Sequence, residues 1–184
     1  MSSRFRTALS ALLFLALVVP ASAANTGSVE GTITWQYNDY VGTKGDVGAK
    51  VVLFPEHLAH KLNGRNPKDA EIISSLALGI VTPDVERLGI RGGEADGFGK
   101  AEVDDVPAGY YVVLIVSSKT TRDFEKPVSD ADLEMLRSYF ATDASFGRLK
   151  ASPLLKLKKF WTETVEVHSG STAHFSHDFG NTFI

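Results

Sequence analysis

The 184-residue sequence contains no cysteine. That excludes disulfides, a thiol nucleophile, a thiolate metal site and a lipid-modified cysteine behind the first apolar stretch. An exported chain of this kind must be held by packing alone, which favours a bacterial exported protein over a small disulfide-stapled module. Long hydrophobic runs are also missing. The longest, residues 8–19, is too short to span a bilayer, and nothing later approaches ~20 apolar residues, so the mature chain carries no membrane span. A basic surplus is absent too: 19 Lys and Arg face 22 Asp and Glu, net −3, which gives no general electrostatic reason to bind nucleic acid. The chain is not poor in apolar residues, and 43% hydrophobic content excludes a mostly disordered protein. There is no solenoid-length repeat and no low-complexity tract.

What is present begins with a targeting segment. Arg4 and Arg6 precede the apolar stretch, Pro20 breaks it, and Ala21-Ser22-Ala23 has the small-x-small form of a cleavage site. Residues 1–24 are therefore expected to be a signal peptide, and residues 25–184 one exported domain, periplasmic or extracellular. Cleavage would remove two of the 19 basic residues and no acid, leaving 17 against 22.

Strand periodicity follows. Val29, Gly31, Ile33 and Trp35 alternate with polar residues over 28–36. Residues 37–48 read as a turn-rich connection and 49–54 (AKVVLF) as the next strand. Residues 96–118 read as two strands meeting at a corner, Pro107 to Gly109, in a central hairpin. The second of them, an apolar β-branched run over 110–116, suits a strand buried on both faces. Residues 161–168 and 172–179 form a last pair, read as a hairpin across Ser169-Gly170-Ser171.

Between these lie two blocks of helical period, about 55–94 and 119–160. In the first, Asn66 suits an N-cap, Pro67 the first helical position and Asp69 the third. Ile72, Ile73, Leu76, Ala77 and Ile80 then recur at helical spacing, and 82–94 reads as loop. In the second, Ser129 or Asp130 caps a helix bearing Leu133, Leu136 and Phe140, and Asp143 caps a short one with Phe146 and Leu149. At least six strands without β-α-β alternation argue for an antiparallel sandwich with helical insertions.

Three segments, in order, resemble carboxypeptidase regulatory-like (transthyretin-like, Cna-B-like) domains. They are Gly31-Thr32-Ile33 with 45–53 (GDVGAKVVL), Asp96-Gly97-Phe98-Gly99 with 106–113 (VPAGYYVV), and 165–172 (VEVHSGST). The resemblance covers about half of residues 25–184. It implies a prealbumin-like β-sandwich used as a structural, adhesive or ligand-presenting module, without catalysis or cofactor. No functional motif carries over. The Pro-x-Gly-x-Tyr corner needs a stiff first residue and a permissive third, and its tyrosine can brace the corner through a hydroxyl bond to backbone. Pro107, Gly109 and Tyr110 are the residues expected to shape it. The two insertions are long for such a domain; either function lies there or they cap the open sandwich edges.

Candidate chemistry is sparse. His174, His177 and His168 could suggest a metal, but 174 and 177 have opposite parity on a strand. His57 and His60 lack an H-E-x-x-H arrangement. Asp96, Asp104 and Asp105 lack calcium-loop spacing, and a solvated corner explains them. Ser169 and Ser171 fit turn chemistry, and no G-x-S-x-G is present. The glycines at 92, 93, 97 and 99 lead into a strand, not a helix N-terminus. Residues 154–159 (LLKLKK) read as a lysine-protected edge strand. Trp35, Tyr37, Tyr40 and Trp161 could form a sugar platform, although Trp35 and Trp161 fall on apolar strand faces expected to pack inside. No catalytic, cofactor or metal residue is assigned. The reading is a non-catalytic exported module with an envelope protein or glycan as partner; the alternatives are a small-ligand or carbohydrate-binding protein and a hydrolase.

Overall fold

The computed structural model describes residues 25–38 and 40–181. The expected signal peptide lies outside the described residues. The chain is mainly β and forms a β-sandwich with two helical insertions.

One sheet is centred on β1 (Thr26–Asn38). The other edge partners along it are β5 (Lys100–Pro107) and, end to end with β5, the short β2 (Gly42–Gly45); β8 (Thr172–Asn181) lies on the opposite side. The β1–β8 pairing is parallel, with Gly31 opposite Phe175 and Ile33 opposite His177, and every other pairing is antiparallel. The second sheet has the order β4 (Arg91–Glu94), β3 (Lys50–Pro55), β6 (Gly109–Thr121), β7 (Lys158–Val167).

Two expected hairpins are therefore not hairpins. β5 and β6 belong to different sheets, and so do β7 and β8. Each tight corner carries the chain across the sandwich. At the first, the brace comes from Tyr111: its buried side chain donates a hydrogen bond to the Pro107 carbonyl at 2.7 Å. Tyr110, the neighbour expected to help shape the corner, points outward and is 56% exposed. At the second, the Gly170 N–H donates to Thr26 and Ser171 accepts from the Ser28 N–H, which ties the arch to the start of β1. Gly31 is needed where β8 comes closest, because a Cβ there would fall within the Phe175 ring, 1.9 Å from its tip.

The second sheet is covered on both faces. Val51, Leu53, Val113, Ile115, Val165 and Val167 point at the first sheet and meet Val29, Ile33, Val103, Phe175 and Phe179. The alternate residues Val52, Phe54, Leu114 and Val116 point the other way, into the helices. That explains the continuous apolar run of β6: it has no solvent face, so alternation disappears. Each such side chain fully buried contributes about 1.5–3 kcal/mol relative to exposure.

The helical blocks do more than cover a sandwich edge. They fuse into a third layer on the outer face of the second sheet. α1 (Pro67–Ala77) carries Ile72, Ile73, Leu76 and Ala77 inward; its N-cap is Asn66, whose side chain accepts the Asp69 N–H at 2.8 Å, as the sequence indicates. α4 (Asp143–Lys150) packs against α1 and adds Phe146 and Leu149. Its cap is Thr142, not Asp143: Thr142 and Ser145 form a reciprocal capping box. Shorter pieces complete the layer, namely 3₁₀ turns at Glu56–Leu58 and Ala131–Leu133 and helices α2 (Pro83–Glu86), α3 (Glu134–Arg137) and α5 (Pro153–Leu157). Residues 82–94, expected as loop, thus hold α2 and β4. The segment 154–159, expected as an edge strand, is α5 running into β7.

Candidate functional site

A broad groove lies where β7 and β8 face each other across the open side of the sandwich. The second insertion roofs it. This groove of about 700 Å³ is lined chiefly by Trp161 and Thr162 of β7, His177 and Phe179 of β8, and Asp132 and Met135 of the insertion.

Its geometry follows from strand parity. Trp161, Glu163, Val165 and Val167 share one face of β7, and Ala173, Phe175, His177 and Phe179 share one face of β8. Deep in the sandwich these residues are buried: Val165, Val167, Phe175 and Phe179 belong to the inter-sheet core. Toward the groove the sheets are no longer sealed. Trp161 is 49% exposed, a correction to the expectation that it packs inside. Its indole stacks on His177, ring centres 4.9 Å apart and planes 13° apart. His177 in turn meets the Phe179 ring edge-on at 4.5 Å. Burial holds the His177 imidazole below its usual range, with Asp178 pulling it the other way. The indole is thus backed on one side by a flat imidazole and stands half in solvent.

Polar groups surround this platform. Arg122 donates to the Pro127 carbonyl at 3.3 Å and lies 4.0 Å from an Asp132 carboxylate oxygen. That same oxygen accepts the Ser129 N–H at 2.9 Å, while Ser129 Oγ accepts the Asp132 N–H, so the two residues close the turn that carries the acid. Lys159 caps the end of β8, donating to the Phe179 and Asn181 carbonyls at 3.1 and 2.8 Å. Asp178 accepts the Gly180 N–H at 2.9 Å. The groove therefore presents an aromatic face bordered by a guanidinium–carboxylate pair, the combination that can stack an apolar ring face and hydrogen-bond hydroxyls.

Two carboxylates drawn out of solvent, one partly and one fully, escaped the sequence reading. Glu163, one step below Trp161 on the same face, has an Oε1 with no hydrogen-bond partner among the described residues, and burial raises its carboxyl above the usual range. Asp46 is fully buried, bonded to Ser117 Oγ and to the Ser118 and Lys119 N–H groups at 3.1 Å; burial raises it against the pull of those donors. It pins the β2–β3 connection to the end of β6. Nothing near Asp46 in the sequence signals this, because its partners lie 71 to 73 residues away.

The other candidates are dispersed. His174 and His168 are exposed beside Glu30 and Glu166, at 3.7 and 3.9 Å, and His174 does not share the face of His177. His60 adopts a left-handed φ of 60° and donates its N–H to Ser138. Asp96 accepts the Phe98 and Lys100 N–H groups, which hold its carboxyl below the usual range and shape its turn. Among the described residues no group of three or more His, Asp or Glu could hold a metal, and no helix is long and apolar enough to cross a membrane. Of the aromatic quartet, Trp35 meets Tyr37 edge-on at 5.5 Å and packs on the core, Tyr40 is fully exposed at the β1–β2 turn, and Trp161 stands apart with His177.

No family model matches the chain, and no curated protein matches it. Among solved structures it is similar to a candidate carbohydrate-binding protein from Pseudomonas aeruginosa, 13% identical, with a TM-score of 0.41 over 85% of this chain and 90% of that one. It is also similar to a minor pilin of the gram-positive pathogen Streptococcus agalactiae, 10% identical, with a TM-score of 0.42 over 86% of this chain; it spans about half of the pilin, 46%. Similarity at this level carries no statement about function. The β-sandwich stands, and membership of the carboxypeptidase regulatory-like family is not shown.

Proposed function

We propose that this protein is an exported, non-catalytic β-sandwich module of the cell envelope or extracellular space, and that it binds a carbohydrate in the Trp161 groove. The observation that carries the reading is the half-exposed indole stacked on His177 beside Arg122 and Asp132. A half-exposed indole held flat against a second ring is preorganised for stacking. A pyranose offers the complementary surface, with C–H groups for the indole and hydroxyls for the Arg122–Asp132 pair. Asp132 and Asp178 each accept from their own backbone turn, which fixes them as orienting groups at the groove. Export rests on the arrangement of residues 1–24.

A glycan array followed by intrinsic tryptophan fluorescence tests this. The expected outcome is a restricted set of binding glycans that perturb the indole emission, with Trp161→Ala losing on the order of 1–3 kcal/mol of binding, roughly fivefold to 150-fold in Kd. An empty array with no sugar-dependent emission change would sink the ligand class. Release of reducing ends from a bound glycan would overturn the non-catalytic part.

A further inference from the structure

A second opening lies on the outer face of the second sheet, where the helical layer stops short of the β6–β7 corner. Tyr110 and Val112 of β6 and Thr164 of β7 are left there at the margin of the helices; in register, Tyr110 sits opposite Glu166 and Val112 opposite Thr164. Glu56, from the turn after β3, and Ser138 and Tyr139, from the end of α3, close the other side. The result is a pocket of about 460 Å³ with a largely aromatic and aliphatic lining.

Its charge is one-sided. No Lys or Arg lines it. Glu56 is exposed and makes no ion pair among the described residues. The Glu166 carboxylate takes the Tyr110 hydroxyl as a hydrogen-bond partner at the rim, and the His168 ring lies 3.9 Å from that carboxylate. The tyrosines differ in what they offer. Tyr111 spends its hydroxyl on the Pro107 carbonyl and Tyr139 on the Phe54 carbonyl at 3.0 Å, so both are fixed walls. Tyr110 is 56% exposed, and its ring is open to a ligand. Because the brace at the corner belongs to Tyr111, the Tyr110 ring is not packed into the corner, and its hydroxyl is steadied by Glu166.

We infer that this pocket binds a small organic ammonium ion, held by the face of Tyr110 and the carboxylate of Glu56. An electron-rich ring attracts a cation, and a weakly hydrated alkylammonium loses little on leaving water, whereas a metal ion would need more oxygen ligands than the pocket supplies. A neutral ligand of the same shape would fit the walls and gain nothing from the charge. This site is independent of the Trp161 groove.

The test is calorimetric titration of the full chain with choline chloride, and with 3,3-dimethylbutan-1-ol as its uncharged isostere. Choline binds and the alcohol binds at least tenfold more weakly. Tyr110→Ala and Glu56→Gln each weaken choline about tenfold. Both positions are exposed, so unchanged far-ultraviolet circular dichroism and thermal midpoints show that the variants fold. Trp161→Ala leaves choline affinity unaltered, which separates this site from the sugar groove. Equal affinity for choline and the alcohol, no detectable choline binding, or unchanged affinity in both pocket variants overturns the proposal.

Discussion

The two cores on either side of the second sheet are built differently. The inter-sheet core is made almost entirely of strand residues from the two sheets, with no helical residue in it. The sheet–helix core draws on two insertions far apart in sequence, and neither covers the sheet by itself. Leu62 bridges to Phe140, α1 packs on α4, Ser152 Oγ bonds to the Ala77 carbonyl, and the Tyr139 hydroxyl reaches across to Phe54. Yet the same strands supply both cores, with Val51 and Ile115 facing one way and Val52 and Leu114 the other. Layers that share alternate residues of one strand cannot loosen separately without exposing half of its apolar side chains. The insertions are thus structural first, and function is found at their margins, where they leave the sandwich uncovered.

The largest expected effect tests whether the cores are one cooperative unit. Phe140 is 1% exposed and contacts Phe146 at 5.6 Å between ring centres. Phe140→Ala should cost about 3–5 kcal/mol, and Ile33→Ala in the other core about 2–5 kcal/mol. Denaturation followed by far-ultraviolet dichroism and by tryptophan emission should give coincident transitions in both variants. If Phe140→Ala melts helical signal while the tryptophans stay native, the helical layer is a separable unit and the shared-strand account fails.

A smaller effect sharpens the comparison through one atom on each side. Tyr139→Phe leaves the Phe54 carbonyl without its side-chain donor inside the helical core, and Tyr111→Phe does the same to Pro107 at the sandwich corner. Each should cost about 1 kcal/mol, read from chemical denaturation midpoints. A Tyr111→Phe variant as stable as the parent would show that the corner is held by Pro107 and backbone packing without the brace.

The difference between the cores also decides how much was legible beforehand. Strand alternation exposed the sandwich, and the Asn66-Pro67 start exposed α1, because both signals are local. Sheet membership is not local. The corners at Pro107–Gly109 and at Ser169–Ser171 look like hairpin turns in sequence, since a tight reversal has the same residue chemistry whether the second strand pairs with the first or crosses to the other sheet. The parallel β1–β8 pairing was hidden for the same reason. Trp161 sits in phase with Val165 and Val167, so periodicity counted it as core; its exposure depends on where the opposing sheet ends. Tyr110 and Tyr111 are adjacent, and only the Pro-x-Gly-x-Tyr spacing distinguishes the brace from the free ring. Asp46 carried no signal, because its donors belong to the far end of β6.

The smallest expected effect uses pH to separate the two cores, because the half-buried Glu163 and the His177 of the groove both belong to the inter-sheet side. Burial raises Glu163 above its ordinary value of 4.5, so the fold favours its neutral form. That contribution is fully present below pH 4.5 and is lost as pH rises through the folded value. Burial lowers His177 below its ordinary 6.5, so the fold again favours the neutral form, but here the contribution is present above pH 6.5 and is lost as pH falls through the folded value. The two act in opposite directions across the mildly acidic range, so the single variants separate what the parent's profile sums. Glu163→Gln keeps the shape and removes the first term, so it should be more stable than the parent at pH 7 and match it at pH 4. His177→Gln removes the second, and its stability relative to the parent should improve as pH falls from 7 to 5. Denaturation midpoints at pH 4, 5, 6 and 7 measure both. A Glu163→Gln variant less stable than the parent at pH 7 would mean that the carboxylate has a partner in solution and that this end of the inter-sheet space is wetter and more open than the core it continues.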